Sequence, residues 1–104
     1  MTIKQRVMAG AAFLTAIKPK WYKKIDVKEL DLQDGGTCVL GEMYGWYEDG
    51  LAELGISEEQ AKVLGFTEHS EDDYDDDEIE TENWFGLTKT WKEVIRKLQR
   101  YGKV

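Results

Sequence analysis

Few residues in this chain are of a type that does covalent or metal chemistry. Cys38 is the single cysteine and His69 the single histidine. A thiol at the start of a helix is activated by the amides there, and an imidazole beside it would complete a thiol pair. Against that stands the local sequence: Cys38 precedes Val39 and Leu40, where a small core residue is expected. One Cys and one His make neither a disulfide framework nor a four-ligand zinc site. No phosphate-cradling glycine loop, GxSxG or HExxH occurs. The residues therefore predict a protein that is not an enzyme and carries no cofactor or metal.

The chemistry that remains is electrostatic. Glu68–Glu82 reads EHSEDDYDDDEIETE. A calcium loop of the EF-hand type requires Gly at its sixth position, whereas starting at Asp72 or Asp73 puts Asp77 or Glu78 there, so the spacing fails. A solvated acidic loop, a contact surface for a basic partner and a DNA mimic remain as readings. The contact-surface reading uses Glu71, Asp72, Asp73, Asp75, Asp76, Asp77, Glu78, Glu80 and Glu82, with Trp46 as an apolar anchor. A packed Trp at the edge of the core is the alternative for Trp46. The mimic reading needs Glu42, Asp49 and Glu53 to form one rigid array with the loop.

Charge is segregated along the chain. Of 104 residues with net charge −7, positions 1–24 hold six basic groups and no acid, and 25–65 hold ten acids against Lys28 and Lys62. Positions 66–86 hold ten acids and no Lys or Arg, and 87–104 hold six basic groups against Glu93. Lys18, Lys20, Lys23 and Lys24 surround Trp21 and Tyr22, a combination that could stack on a nucleic-acid base. In an anionic chain the better expectation is that Trp21 and Tyr22 close one end of the core, so no direct nucleic-acid binding is expected.

The elements that must position these groups are helical. Thr2 and Gln5 have capping-box spacing, the face Ile3, Val7, Gly10, Ala11, Leu14, Ile17 follows, and Pro19 stops the helix. Asp26 and Glu29, with Ile25 and Leu30 as staple, predict a short helix start; Asp34-Gly35-Gly36 then breaks the chain. Leu40, Met43, Tyr44, Tyr47, Leu51 and Leu54 fall on one side of a single amphipathic rod from about 38 to 54, the expected hub of the fold. A strip of small residues, Gly41, Gly45 and Ala52, offers that rod a second packing face and a route to self-association. Gly55 ends it, and Ser57 to Gln60 caps another short helix ending at Gly65. Those two helices have a helix-turn-helix look, but Glu58 and Glu59 open the second where a DNA reader needs cations. A last helix carries Trp84, Leu87, Trp91, Val94, Ile95, Leu98 and Tyr101 on one face, starting regularly at Thr88 or Thr90.

The expected fold is thus mainly α: one domain over 1–104, a compact bundle of about four to five helices, with a mobile acidic loop at 67–83 before the last helix. No apolar run approaches the roughly 20 residues of a membrane span. Gln5 and Arg6 interrupt what would be a signal sequence. A cytoplasmic protein that avoids membranes is expected.

The pattern Leu30-Asp31-Leu32, Cys38 to Gly41, Tyr44-Gly45, Gly50-Leu51, Leu54-Gly55, Leu64-Gly65-Phe66 and Gly86-Leu87-Thr88 with Trp91 resembles a group of small uncharacterised proteins of actinobacteria and their phages. The resemblance spans about two thirds of the chain, and the acidic run is longer than in the group. It implies a phage accessory protein. Together with the charge pattern, it leads to the expectation of a small acidic inhibitor or adaptor that binds a basic surface on a host enzyme or defence complex. A DNA mimic and a self-associating structural protein, as a homodimer, are the alternatives.

Overall fold

The structure, a computed structural model, describes residues 2–67 and 84–102. Helix α1 (Ile3–Ile17) begins at the expected capping box: Gln5 N–H donates to the Thr2 hydroxyl at 3.0 Å, and Thr2 N–H donates to the Gln5 side-chain oxygen at 2.8 Å. It stops at Lys18, which Pro19 holds extended at φ −136°. A 3-10 turn over Trp21–Lys24 follows. Then come α2 (Val39–Tyr44), α3 (Tyr47–Leu54), α4 (Glu58–Val63) and the long α5 (Trp84–Tyr101). There is no strand among the described residues, so the bundle is all-α as the periodicity predicts.

The hub is not one rod. Gly45 takes φ +95°, a region that L side chains rarely enter, and Trp46 is extended at φ −156°, so the chain turns between α2 and α3. The two short helices fold back on one another closely enough that a Cβ on Gly50 would lie 2.8 Å from that of Leu40. The apolar set survives the break: Leu40 is buried, and Met43, Tyr44, Tyr47, Leu51 and Leu54 pack half-buried against the core. Periodicity identified which residues go inward, but two helices joined by a bend achieve that as well as one rod. The strip of small residues dissolves with the rod. Gly41 is buried against the Gly35–Gly36 backbone, while Gly45 and Ala52 are exposed, so the strip offers no continuous face for self-association.

Trp91 sits at the centre of the core, fully buried. Its indole N–H donates to the Gly65 carbonyl at 2.6 Å, Phe66 stacks on it at 5.7 Å between centroids, and Trp21 meets it edge-on at 6.0 Å. Gly10 lets α1 come in from the other side: a Cβ there would overlap the Leu64 carbonyl oxygen and press on the Trp91 ring at 3.0 Å. Arg6, also fully buried, donates from Nε to the Lys62 carbonyl at 2.9 Å and from Nη2 to the Thr67 carbonyl at 2.7 Å. A buried guanidinium requires such acceptors, and the carbonyls at the end of α4 lie at the negative end of its dipole. Trp21 and Tyr22 are buried as expected, with the Trp21 indole N–H donating to the Thr15 hydroxyl.

Three local expectations fail. Asp26 accepts from the Lys28 N–H two residues on, closing an Asx turn, so residues 27–29 form a turn where a helix start is expected; Ile25 and Leu30 are buried all the same. Helix α5 spans Trp84–Tyr101 and so already runs through both threonines, neither of which caps it: Thr90 donates to the Gly86 carbonyl and Thr88 accepts from the Leu32 N–H. Tyr101, placed on the core face by periodicity, is 64% exposed at the end of α5.

The bend gives a discriminating measurement. Because nothing lies within 4 Å of a Cβ at Gly45, Gly45→Ala and Gly45→Leu should lower the unfolding free energy equally, by about 1–3 kcal/mol of backbone strain. Gly10→Ala should cost at least as much through overlap. Urea melts check both, and a much larger loss for Leu than for Ala at position 45 would mean a packed neighbour there.

Candidate functional site

The turn after Leu30 is built to seat an indole. Asp31 Oδ1 accepts from Gln33 N–H and Asp34 Oδ1 from Gly36 N–H, and the Asp34 carbonyl accepts from Thr37 and Cys38. The Gly35 carbonyl takes the Tyr47 N–H at 2.8 Å, tying the start of α3 to this turn. The Trp46 ring then lies flat along Gly35 and Gly36: a Cβ on Gly35 would come within 2.8 Å of its Cζ2, and one on Gly36 within 3.4 Å of its Cζ3. At Gly35 the indole occupies the space of a side chain, whereas at Gly36 a Cβ would only touch it. Leu32 N–H, donating to Thr88 Oγ1 at 2.9 Å, fixes the same turn to α5 one turn beyond Trp84.

The result is a recess of about 170 Å³ whose walls include Trp46, Tyr47, Trp84, Gln33, Glu48 and Thr67. Trp46 is 47% exposed, at the N-cap of α3 and not on a helix face as the single-rod reading has it. Thr67 and Trp84 are the residues on either side of positions 68–83, so the chain enters and leaves the acidic segment at this recess. The expected contact residues Glu71, Asp72, Asp73, Asp75, Asp76, Asp77, Glu78, Glu80 and Glu82 lie outside the described residues, as does His69. Of the acids that a DNA mimic would align with that segment, Glu42 is on α2, where it accepts from Asp26 N–H, and Asp49 and Glu53 are on α3.

Cys38 is buried at the N-cap of α2, its sulfur accepting from Gly41 N–H at 3.3 Å. Burial pushes its thiol above the ordinary value of 9.0, outweighing the Gly41 and Leu40 amides that favour the thiolate. Tyr47 is pushed well above its ordinary 10.0, first by burial and then by the Glu58 carboxylate, which accepts its hydroxyl at 2.8 Å. Neither group is primed as a nucleophile at neutral pH. No group of three metal-binding side chains occurs among the described residues, and no helix of theirs is long and apolar enough to cross a membrane.

Sequence reading singled out Trp46 but missed Trp84, Tyr47 and the Gly35–Gly36 floor. Trp84 and Tyr47 sit on apolar stripes, which periodicity assigns wholly to the core. The available signal was a glycine pair followed ten residues on by Gly45-Trp46, which periodicity does not weigh. No family profile matches the chain, and no curated protein or solved structure proves significantly similar to it.

The raised pKa values fix a sign. Folded Cys38 and Tyr47 hold their protons more tightly than the unfolded chain, so their contribution is complete below pH 9 and is lost as pH rises beyond 9.0 for Cys38 and 10.0 for Tyr47. Urea melts between pH 7 and 11 should show a plateau and then a decline, with Tyr47→Phe flattening the part above pH 10. An unchanged slope in that variant would contradict the burial of the phenol.

Proposed function

We propose that the chain is a small acidic inhibitor or adaptor that binds a protein with a basic surface, as a phage accessory protein acting on a host enzyme or defence complex. The observation that carries this reading is the recess itself: a half-exposed Trp46 beside the two points, Thr67 and Trp84, from which the acidic segment runs. Ten acids and no Lys or Arg lie between those residues. The described residues, by contrast, hold 13 basic and 11 acidic groups, or +2. The anionic character of the protein is thus concentrated in a segment tethered at both ends to an aromatic surface. Such a pairing divides the work of binding: carboxylates accelerate encounter with a cationic partner, and a desolvated indole slows its departure. The host-directed, phage-derived role follows from the resemblance carried by the Gly, Leu and aromatic pattern of the sequence.

The test begins with capture from host lysate at low and then physiological salt, followed by kinetics with the purified captured protein. Replacing Asp72, Asp73, Asp75, Asp76 and Asp77 with Asn should slow association by about tenfold at low salt and flatten its salt dependence. Trp46→Ala should raise the dissociation rate about thirtyfold. If both variants bind with parental kinetics, the recess and its segment are not the contact surface.

A further inference from the structure

Three aromatic side chains and one carboxylate line the same small recess, and their chemistry identifies what it takes. Among the described residues the Trp46 and Trp84 rings make no aromatic pair and carry no cation, in contrast to Trp21 and Trp91, which pair with each other. Glu48, in the first turn of α3 on the same wall, is exposed and forms neither an ion pair nor a hydrogen bond. Gln33 adds an amide at the rim. An anionic group is disfavoured here by Glu48 together with Asp31 and Asp34 on the adjoining turn. A purely apolar plug would satisfy the rings but would desolvate Glu48 without pairing it. A planar cation satisfies all of them, since its flat faces lie on indole rings while its edge N–H groups reach a carboxylate.

We infer that the recess bounded by Trp46, Tyr47 and Trp84 accepts the guanidinium of an arginine side chain on the partner, with Glu48 as its counter-charge. The inference deepens the basic-partner reading above and rests on it. A cavity of about 170 Å³ is on the scale of one long side chain, so it seats a single residue and not a helix or a strand. Arginine is favoured over lysine because the ammonium is strongly hydrated and has no planar face to stack. In this arrangement the acidic segment supplies general attraction, and the cage reads one residue. Tyr47 contributes its ring alone, since its hydroxyl is engaged by Glu58.

Indole N–H resonances of the full chain report on the cage directly, because Trp21 and Trp91, buried and hydrogen-bonded, serve as internal controls. The probe is the peptide acetyl-Gly-Ala-Arg-Ala-Gly-amide at physiological salt, compared with the same peptide carrying citrulline, a neutral isostere of arginine. The Trp46 and Trp84 signals should move saturably with the arginine peptide, at millimolar concentrations, while those of Trp21 and Trp91 stay still. Citrulline should abolish the movement, and Glu48→Gln, a conservative exposed change, should weaken it about threefold to tenfold. Equal shifts with citrulline, or no shift at Trp46 and Trp84, overturn the cage. If the cage fails while the Asp→Asn variant still slows association with the captured protein, the basic-partner reading stands without it. If the arginine peptide fills the cage but the Asp→Asn and Trp46→Ala variants bind the captured protein with parental kinetics, the basic-partner reading fails, and with it the assignment of that arginine to the captured protein.

Discussion

The structure depends on the hydrogen bond from the buried Trp91 indole to the Gly65 carbonyl, because it joins α5 to a turn that α1 also packs against. Gly65, at φ +74°, presses against the backbone of Arg6 and Val7, and Arg6 holds the carbonyls on either side of it, at Lys62 and Thr67. Helix α1 and helix α5 thus grip the end of α4 from two directions. A buried indole N–H left without an acceptor costs about 1–3 kcal/mol, as does an unmet carbonyl, so the bond is worth more for what its loss exposes than for its own net strength. The aromatic stack of Trp21, Trp91, Phe66 and Phe13 is assembled around that point.

From this clamp the geometry of the recess follows. Phe66 is drawn into the core beside Trp91, which leaves Thr67, the next residue, on the wall of the aromatic recess. On the opposite side, the bond between Leu32 and Thr88 holds the 31–37 turn against α5, and the glycines of that turn support Trp46. The residues on either side of the acidic segment are therefore fixed beside an aromatic surface, and the described residues carry a net charge of only +2.

The capping boxes at Thr2 and Ser57, the stop at Pro19 and the left-handed Gly55 were all legible in the sequence, since each is a local interaction between residues three or four apart. The bend at Gly45-Trp46 was not, because a glycine in a helical pattern is equally compatible with close packing, and only its φ distinguishes the two. Arg6 was illegible for a related reason. On the helical wheel it aligns with Gly10 and Phe13, but nothing local says that carbonyls of a distant turn will meet it. At the site, Trp46 was recognisable as an aromatic out of phase with the core, whereas Trp84 and Tyr47 join it only through tertiary contacts between the 31–37 turn, α3 and α5.

The central claim is that the turn at Gly65 is clamped, and amide exchange at Phe66 tests it most directly. Its N–H donates to the Ala61 carbonyl at 2.9 Å, and its ring stacks on Trp91. That amide and the Trp91 indole N–H should exchange only when the whole domain unfolds, with protection equal to the global unfolding free energy. Exchange of Phe66 at a rate within about tenfold of a free peptide, while α5 remains protected, would contradict it.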